Sequence, residues 1–256
     1  MARTVLITGS TSGIGLGIAE AFARDGFNVI FNGLEKDGAD IAARIASQYN
    51  IAHLFSAADL GKPESISGMV QEATEQFGIV DVLVNNAGIQ HVAPLEDFPN
   101  DMWDLIIAVN LTAAFHLTKA VWSNMKKQGF GRIINIASVH GLFASEFKSA
   151  YVAAKHGLIG LTKTTALEGA PFGITCNALC PGYVRTSLVE KQIAEQAKLH
   201  QLDTKEVIQK IMLSKHAIKE FVDVGTISAM CSFLSSDLAH TITGTAMPID
   251  GGWSAQ

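Results

Sequence analysis

Seven short apolar runs that alternate with longer amphipathic stretches set the tightest limit on how this chain can fold. The runs are TVLIT (4–8), NVIFN (28–32), AHLFSA (52–57), VDVLVN (80–85), RIINIA (132–137), TCNAL (175–179) and TAMPI (245–249). Several are apolar throughout, as strands covered on both faces must be. Between them a helical pattern recurs near 13–25, 37–48, 63–76, 101–127, 150–169 and 223–235. Strand and helix in turn predict an α/β fold: a doubly wound parallel sheet of about seven strands with helices on both faces. Such a sheet binds ligands beyond the carboxyl ends of its strands, so the residues just after each strand carry the functional reading.

The 256 residues, 48% of them hydrophobic, suit one domain spanning 1–256, and the 23 glycines are scattered, so no linker divides it. Residues 186–220 break the rhythm with about two short helices and no strand. A helical lid over the site is expected there, since long insertions in compact domains tend to be functional; a surface decoration or subunit contact is the alternative. A net charge of −5 offers no basic face for nucleic acid. Cys176, Cys180 and Cys231 are an odd number without a CxxC pair, which predicts no disulfide framework and a reducing cytoplasm. No apolar stretch approaches the roughly 20 residues of a membrane span, so no membrane association is expected.

The first strand runs into STSGIGLGIA, where Gly9, Gly13 and Gly15 follow a G-x-x-x-G-x-G spacing. Glycines there permit a tight turn and close approach of backbone amides, and the helix N-terminus adds partial positive charge for a pyrophosphate. Thr11, Ser12 and Ile14 belong to the same turn. The second strand ends FNGLEKD, where an acidic residue commonly holds the ribose of NAD. The expected position falls at about Gly33, followed by Leu34 and Glu35, with no carboxylate assigned. Neither this stretch nor the glycine turn carries a basic residue suited to a 2′-phosphate, Lys36 reading as surface, so NAD is favoured over NADP. After the third strand, Asp59 and Leu60 suit adenine, although Asp59 equally suits a helix start ahead of KPES. The fourth strand ends in NNAG (85–88), which places Asn86, Ala87 and Gly88 at a cofactor or in a plain turn.

The fifth strand leads into ASVHG, so Ser138 and His140 sit at the carboxyl edge. Tyr151 and Lys155, four apart, share one helix face among small residues. Asn110 falls in register with Trp103 and Leu117 on an apolar helical stripe, where an amide is unexpected. A neighbouring ammonium favours phenolate over phenol, so Lys155 is expected to lower the Tyr151 pKa and make it a base. Together with Ser138, Tyr151 and Lys155, Asn110 becomes a candidate for a proton relay.

T-G-x-x-x-G-I-G (8–15), N-N-A-G (85–88), Asn110, Ser138, Y-x-x-x-K (151–155) and P-G (181–182) together resemble the short-chain dehydrogenase/reductase family, in its order and spacing and over essentially the whole chain. The resemblance implies a Rossmann-type sheet and hydride transfer to or from a nicotinamide. It implies Asn110, Ser138, Tyr151 and Lys155 as the catalytic set, and it places Pro181, Gly182, Val184 and Thr186 on the cofactor, Thr186 at the carboxamide. Gln90, His140, Lys148 and Gln192 then surround the substrate. A cation, an imidazole and two amides suit a small carboxylate, although Lys148 and Gln192 taken singly also suit a solvated surface and His140 a structural hydrogen bond. Within the family the resemblance implies (R)-3-hydroxybutyrate and acetoacetate as the substrate pair; another short-chain reductase or a non-catalytic dinucleotide scaffold is the alternative. Trp253 is expected to close the pocket of its own or a neighbouring subunit, in a homotetramer. No metal-ligand cluster is read.

Overall fold

The structure, a computed structural model, describes every residue except 1, 187–188, 191–192, 195–196, 198–200 and 256. Seven strands form one wholly parallel sheet: β1 (Thr4–Ile7), β2 (Asn28–Asn32), β3 (His53–Ser56), β4 (Val82–Asn85), β5 (Gly131–Ile136), β6 (Ile174–Pro181) and β7 (Ala246–Ile249). Their order is β3-β2-β1-β4-β5-β6-β7. The direction of winding reverses between β1 and β4, which opens a crevice at their carboxyl ends. The helices include α1 (Gly13–Arg24), α2 (Gly38–Tyr49), α3 (Pro63–Phe77), α4 (Asn100–Ile107), α5 (Ala113–Gln128) and α6 (Ser149–Gly169).

Side-chain alternation along the strands divides the core into two layers. Val5, Ile7, Val29, Phe31, Val82 and Val84 meet α1, α2 and the helix Val224–Ser235 on one face. Leu6, Ile30, Leu83 and Ile133 meet α3 and α5 on the other. Burial of each such side chain contributes roughly 1.5–3 kcal/mol, which is why the apolar runs carry no polar alternation. β6 extends past its expected end to Pro181, because β7 pairs with it over Ala178–Pro181. β3, on the sheet edge, is only half buried.

The helical pattern expected over 101–127 is interrupted. Ala108–Thr112 forms a wider π-type turn between α4 and α5, and one extra residue in that turn rotates α5 relative to α4. Asn110 and Leu117 are buried as a result, whereas Trp103 is left partly exposed rather than sharing their stripe. The combined helix Asn100–Gln128 is long and apolar enough to cross a membrane. Leu117, Val121 and Met125 nevertheless bury one face of it in the core.

In the 186–220 region, the described residues include a helix Thr204–Val207 that widens into a π-type turn at Ile208–Met212. Val189, Ile193, Val207, Met212 and Leu213 form a small apolar cluster of their own, which Tyr183 joins. The chain then returns to the main body: Val222 N donates to Tyr183 O at 2.8 Å and Ile218 N to Gly251 O at 2.8 Å.

Candidate active site

The turn after β1 is built for close approach. Gly9 and Gly13 hold φ of 59° and 53°, a region that L side chains avoid. A Cβ on Gly15 would lie 2.1 Å from the Gly9 carbonyl oxygen, so only glycine fits. Asn86 Nδ2 donates to the carbonyls of Thr8 (2.8 Å) and Gly9 (3.1 Å), while the Thr8 hydroxyl accepts from Asn86 N and Ala87 N. The NNAG segment therefore fixes the glycine turn across the crevice.

A groove of about 650 Å³ runs along this edge. Gly9, Ser12, Gly13, Ile14, Leu34, Asp59, Leu60, Asn86, Ala87, Gly88 and Thr186 all line it. Thr11 and Gly15 do not: both are buried under the turn and shape it from behind. Asp59 faces the groove, and its carboxylate accepts from Gly61 N at 2.9 Å in the turn before α3; it does not cap that helix, whose N-cap is Lys62.

Glu35 is the residue that sequence reasoning left unassigned. Its carboxylate accepts hydrogen bonds from the hydroxyls of Thr11 and Ser12, the latter at 2.9 Å, and it lines the groove. Burial works to raise its pKa, but hydrogen bonds from Thr11, its own main chain and Ser12 outweigh that and leave it below the ordinary value. A side chain at Gly33 is excluded, because a Cβ there would meet the Thr11 hydroxyl at 2.0 Å. The acidic group therefore arrives two residues later. Two hydroxyls in the glycine turn beside an acid after the second strand were the available signal.

The groove continues into an inner cavity of about 170 Å³, with Ile14, Asn86, Gly88 and Thr186 on the shared wall. Pro181, Gly182, Val184, Ser138, Tyr151 and Lys155 line the cavity. Ser138 ends the stretch after β5, and its Oγ accepts from His140 N at 3.1 Å. On α6 the Lys155 ammonium lies 5.6 Å from the Tyr151 ring centre and donates to Ile136 O at 2.8 Å. Asn110 does not line the cavity. Its side-chain amide pairs with Ile89, accepting from N and donating to O at 2.9 Å each, and so positions the segment that carries Gln90.

The charge states differ from expectation at Tyr151. Burial pushes its pKa up, a Ser138 hydrogen bond lowers it in part, and Tyr183 raises it further. The net lowering expected from Lys155 is not found, because burial of the phenol itself dominates; burial also pushes Lys155 down, to about 8. The low pKa of Lys155 makes it able to give up its own proton near neutrality.

Gln90, His140, Lys148 and Trp253 surround the same cavity; Gln192 lies outside the described residues. His140 is held down to about 4 by burial, then by Lys148, Lys215 and His156, so it is a neutral hydrogen-bonding group. Burial also lowers Lys148, which stands 5.8 Å above the Tyr183 ring. Gln90 Nε2 is buried without a hydrogen-bond partner among the described residues. Trp253 packs edge-on to His140 at 5.4 Å, within its own chain's cavity. Tyr183, a further lining residue, was signalled only by its place after Pro181-Gly182. Among the described residues no cluster of three or more His, Cys, Asp or Glu is grouped to hold a metal.

A phenol, a hydroxyl and an ammonium thus face a small cavity that opens into a groove shaped for a dinucleotide. That arrangement can exchange a proton with an alcohol or ketone held beside a hydride carrier.

Comparison with known proteins agrees with this geometry. The family model described as short chain dehydrogenase matches residues 3–197. A D-beta-hydroxybutyrate dehydrogenase of Rhizobium meliloti (strain 1021) is 49% identical over 258 residues, covering 100% of both chains. A protein of the same name from Cupriavidus necator is 48% identical over 99% of this chain and 98% of its own. An acetoacetyl-CoA reductase of Allochromatium vinosum is 35% identical over 98% of both.

Proposed function

This chain belongs to the short-chain dehydrogenase family, and on that premise we propose that it oxidises (R)-3-hydroxybutyrate to acetoacetate with NAD. Membership makes it an alcohol dehydrogenase that uses a nicotinamide dinucleotide. The observation that carries the substrate reading is the ring of Gln90, His140 and Lys148 around a cavity of about 170 Å³ that also holds Tyr151 and Ser138. The Lys148 cation, set apart from the Tyr151–Lys155 pair and beside neutral hydrogen-bonding groups, fits one carboxylate on a short chain. The two relatives named D-beta-hydroxybutyrate dehydrogenase support the same reading.

A dinucleotide held along the groove by the Gly9–Gly13 turn, Asn86, Gly88 and Thr186 would supply the acceptor for the hydride from C3. Tyr151 takes the hydroxyl proton as the C=O bond forms, and Ser138 donates a hydrogen bond to the same oxygen. Lys155 passes the proton onward, a role suited to a buried amine titrating at about 8. Lys148 neutralises the carboxylate, with Gln90, His140 and Gln192 as its hydrogen-bond partners. Asn110 acts by holding the Ile89–Gln90 segment in place.

NAD rather than NADP is supported by Glu35, whose anion beside the glycine turn disfavours a 2′-phosphate. Residues 186–220 act as a lid in this reading. The single domain works as a homotetramer, for which the exposed Trp103 and Phe115 on the long helix provide apolar contact surface. A cytoplasmic setting is supported by three buried, unpaired cysteines.

Formation of NADH from a panel of hydroxy acids, alcohols and 3-hydroxyacyl thioesters tests the reading. Turnover greatest with (R)-3-hydroxybutyrate and NAD is expected. Preference for a thioester with NADPH as the reductant would replace the substrate reading, and no turnover with any alcohol would overturn the catalytic one.

A further inference from the structure

His216 sits just past the insertion's last helical turn, its backbone N donating to Leu213 O at 3.0 Å. The residue is 0% exposed, and among the described residues neither ring nitrogen has a hydrogen-bond partner of good geometry. Burial lowers its pKa, against the pull of Asp250 and the Glu220 main chain. A buried imidazole in that condition costs stability and needs a reason to be there.

The reason lies in what the ring separates. A Cβ on Gly182 would come within 2.9 Å of the ring carbon Cε1, and one on Gly251 within 2.9 Å of Nδ1. The imidazole is therefore wedged between the turn after β6 and the C-terminal turn, where Gly251 holds φ of 62°. Two cavity walls rest on it: Tyr183 stacks at 6.1 Å and Trp253 lies at 5.6 Å, the two also stacking on each other at 5.9 Å. Trp253 in turn meets His140, and His140 meets Tyr151 at 6.0 Å. Tyr183 packs at the same time into the insertion's own apolar cluster.

We infer that His216 is a positioning residue that sets the Tyr183–Trp253 wall of the substrate cavity and ties the insertion to that wall. It touches no reacting group and acts through the two aromatic rings. Removal of the ring leaves the indole free to tilt into the vacated space and widens the enclosure around the carboxylate and methyl ends of the substrate. The substrate end of this inference rests on the function proposed above; the geometry of the wall does not.

The test uses the full chain with Trp103→Phe and Trp122→Phe, so that Trp253 is the sole indole. His216→Ala is expected to raise the acrylamide quenching constant of Trp253 by about two-fold or more, and KM for 3-hydroxybutyrate by roughly ten-fold, with KM for NAD within about two-fold. His216→Gln keeps a planar polar group of similar reach and is expected to return both to within about three-fold of the parent. A merely structural role would lower the melting temperature and leave the two KM values moving together. If His216→Ala does not fold, His216→Leu replaces it, with the same rise in quenching and KM expected because the branched side chain cannot stack. Unchanged Trp253 quenching overturns the inference whatever the substrate. A parent that fails to oxidise 3-hydroxybutyrate overturns the proposed function instead, and the quenching comparison still decides the role of His216.

Discussion

The Lys155 ammonium stands 5.6 Å from the centre of the Tyr151 ring and is anchored to the Ile136 carbonyl at 2.8 Å, at the end of the strand that leads to Ser138. No acid pairs with it in the ion pairs of the described residues. The bond to the main-chain oxygen holds the amine at the cavity beside the phenol, and burial pushes it down to about 8.

Tyr151→Phe removes the proton acceptor and keeps the ring. Its kcat is expected to fall by about 10²–10⁴-fold, the usual worth of a positioned acid or base, while the dissociation constant for NAD stays within about two-fold. Steady-state kinetics beside a fluorescence titration of the cofactor checks this. Near-normal turnover would remove Tyr151 from the chemistry.

Lys148→Ala removes the one proposed cation at the carboxylate. KM for 3-hydroxybutyrate is expected to rise by roughly 10–100-fold with KM for NAD little changed, the pattern of lost ground-state binding. An equal rise in both would place Lys148 outside the carboxylate site.

Glu35→Ala is expected to reduce the preference for NAD over NADP by about ten-fold or more, through gained use of NADP. The ratio of kcat/KM values for the two cofactors measures it. An unchanged ratio would mean that the carboxylate held by Thr11 and Ser12 only braces the glycine turn.

The buried His140 gives a stability prediction with a definite sign. Its folded pKa of about 4 lies below the 6.5 of the free side chain. Between these values the unfolded chain binds the extra proton, so stability falls as pH drops from about 6.5 towards 4. Asn in place of His140 should lose less melting temperature between pH 7 and pH 5 than the parent does. Parallel losses in the two proteins would show that His140 titrates normally when folded.

Much of this molecule is legible in order and spacing. The centre of β1 is apolar on both faces because helices cover both, and that requirement is written directly in Val5, Leu6 and Ile7. Gly15 and the Tyr151–Lys155 pair sit at intervals that local geometry demands. The features that sequence order does not reveal depend on distant chain. Glu35 matters only because β2 brings it back over Thr11 and Ser12. The direction of the Tyr151 shift comes from burial, and no local pattern reports how much protein covers a phenol. The π-type turn at Asn110 breaks the periodicity on which its register depends. His216 carries no motif; its setting is made by Gly182 and Gly251, each more than thirty residues away in sequence.

The most direct test of the central claim is NADH formation by the purified full chain with the two enantiomers of 3-hydroxybutyrate, supplied separately. The account expects turnover with the (R) form that rises from neutral towards alkaline pH, and little with the (S) form. Equal rates with both enantiomers, or no NADH from either while a neutral alcohol is oxidised, would contradict it.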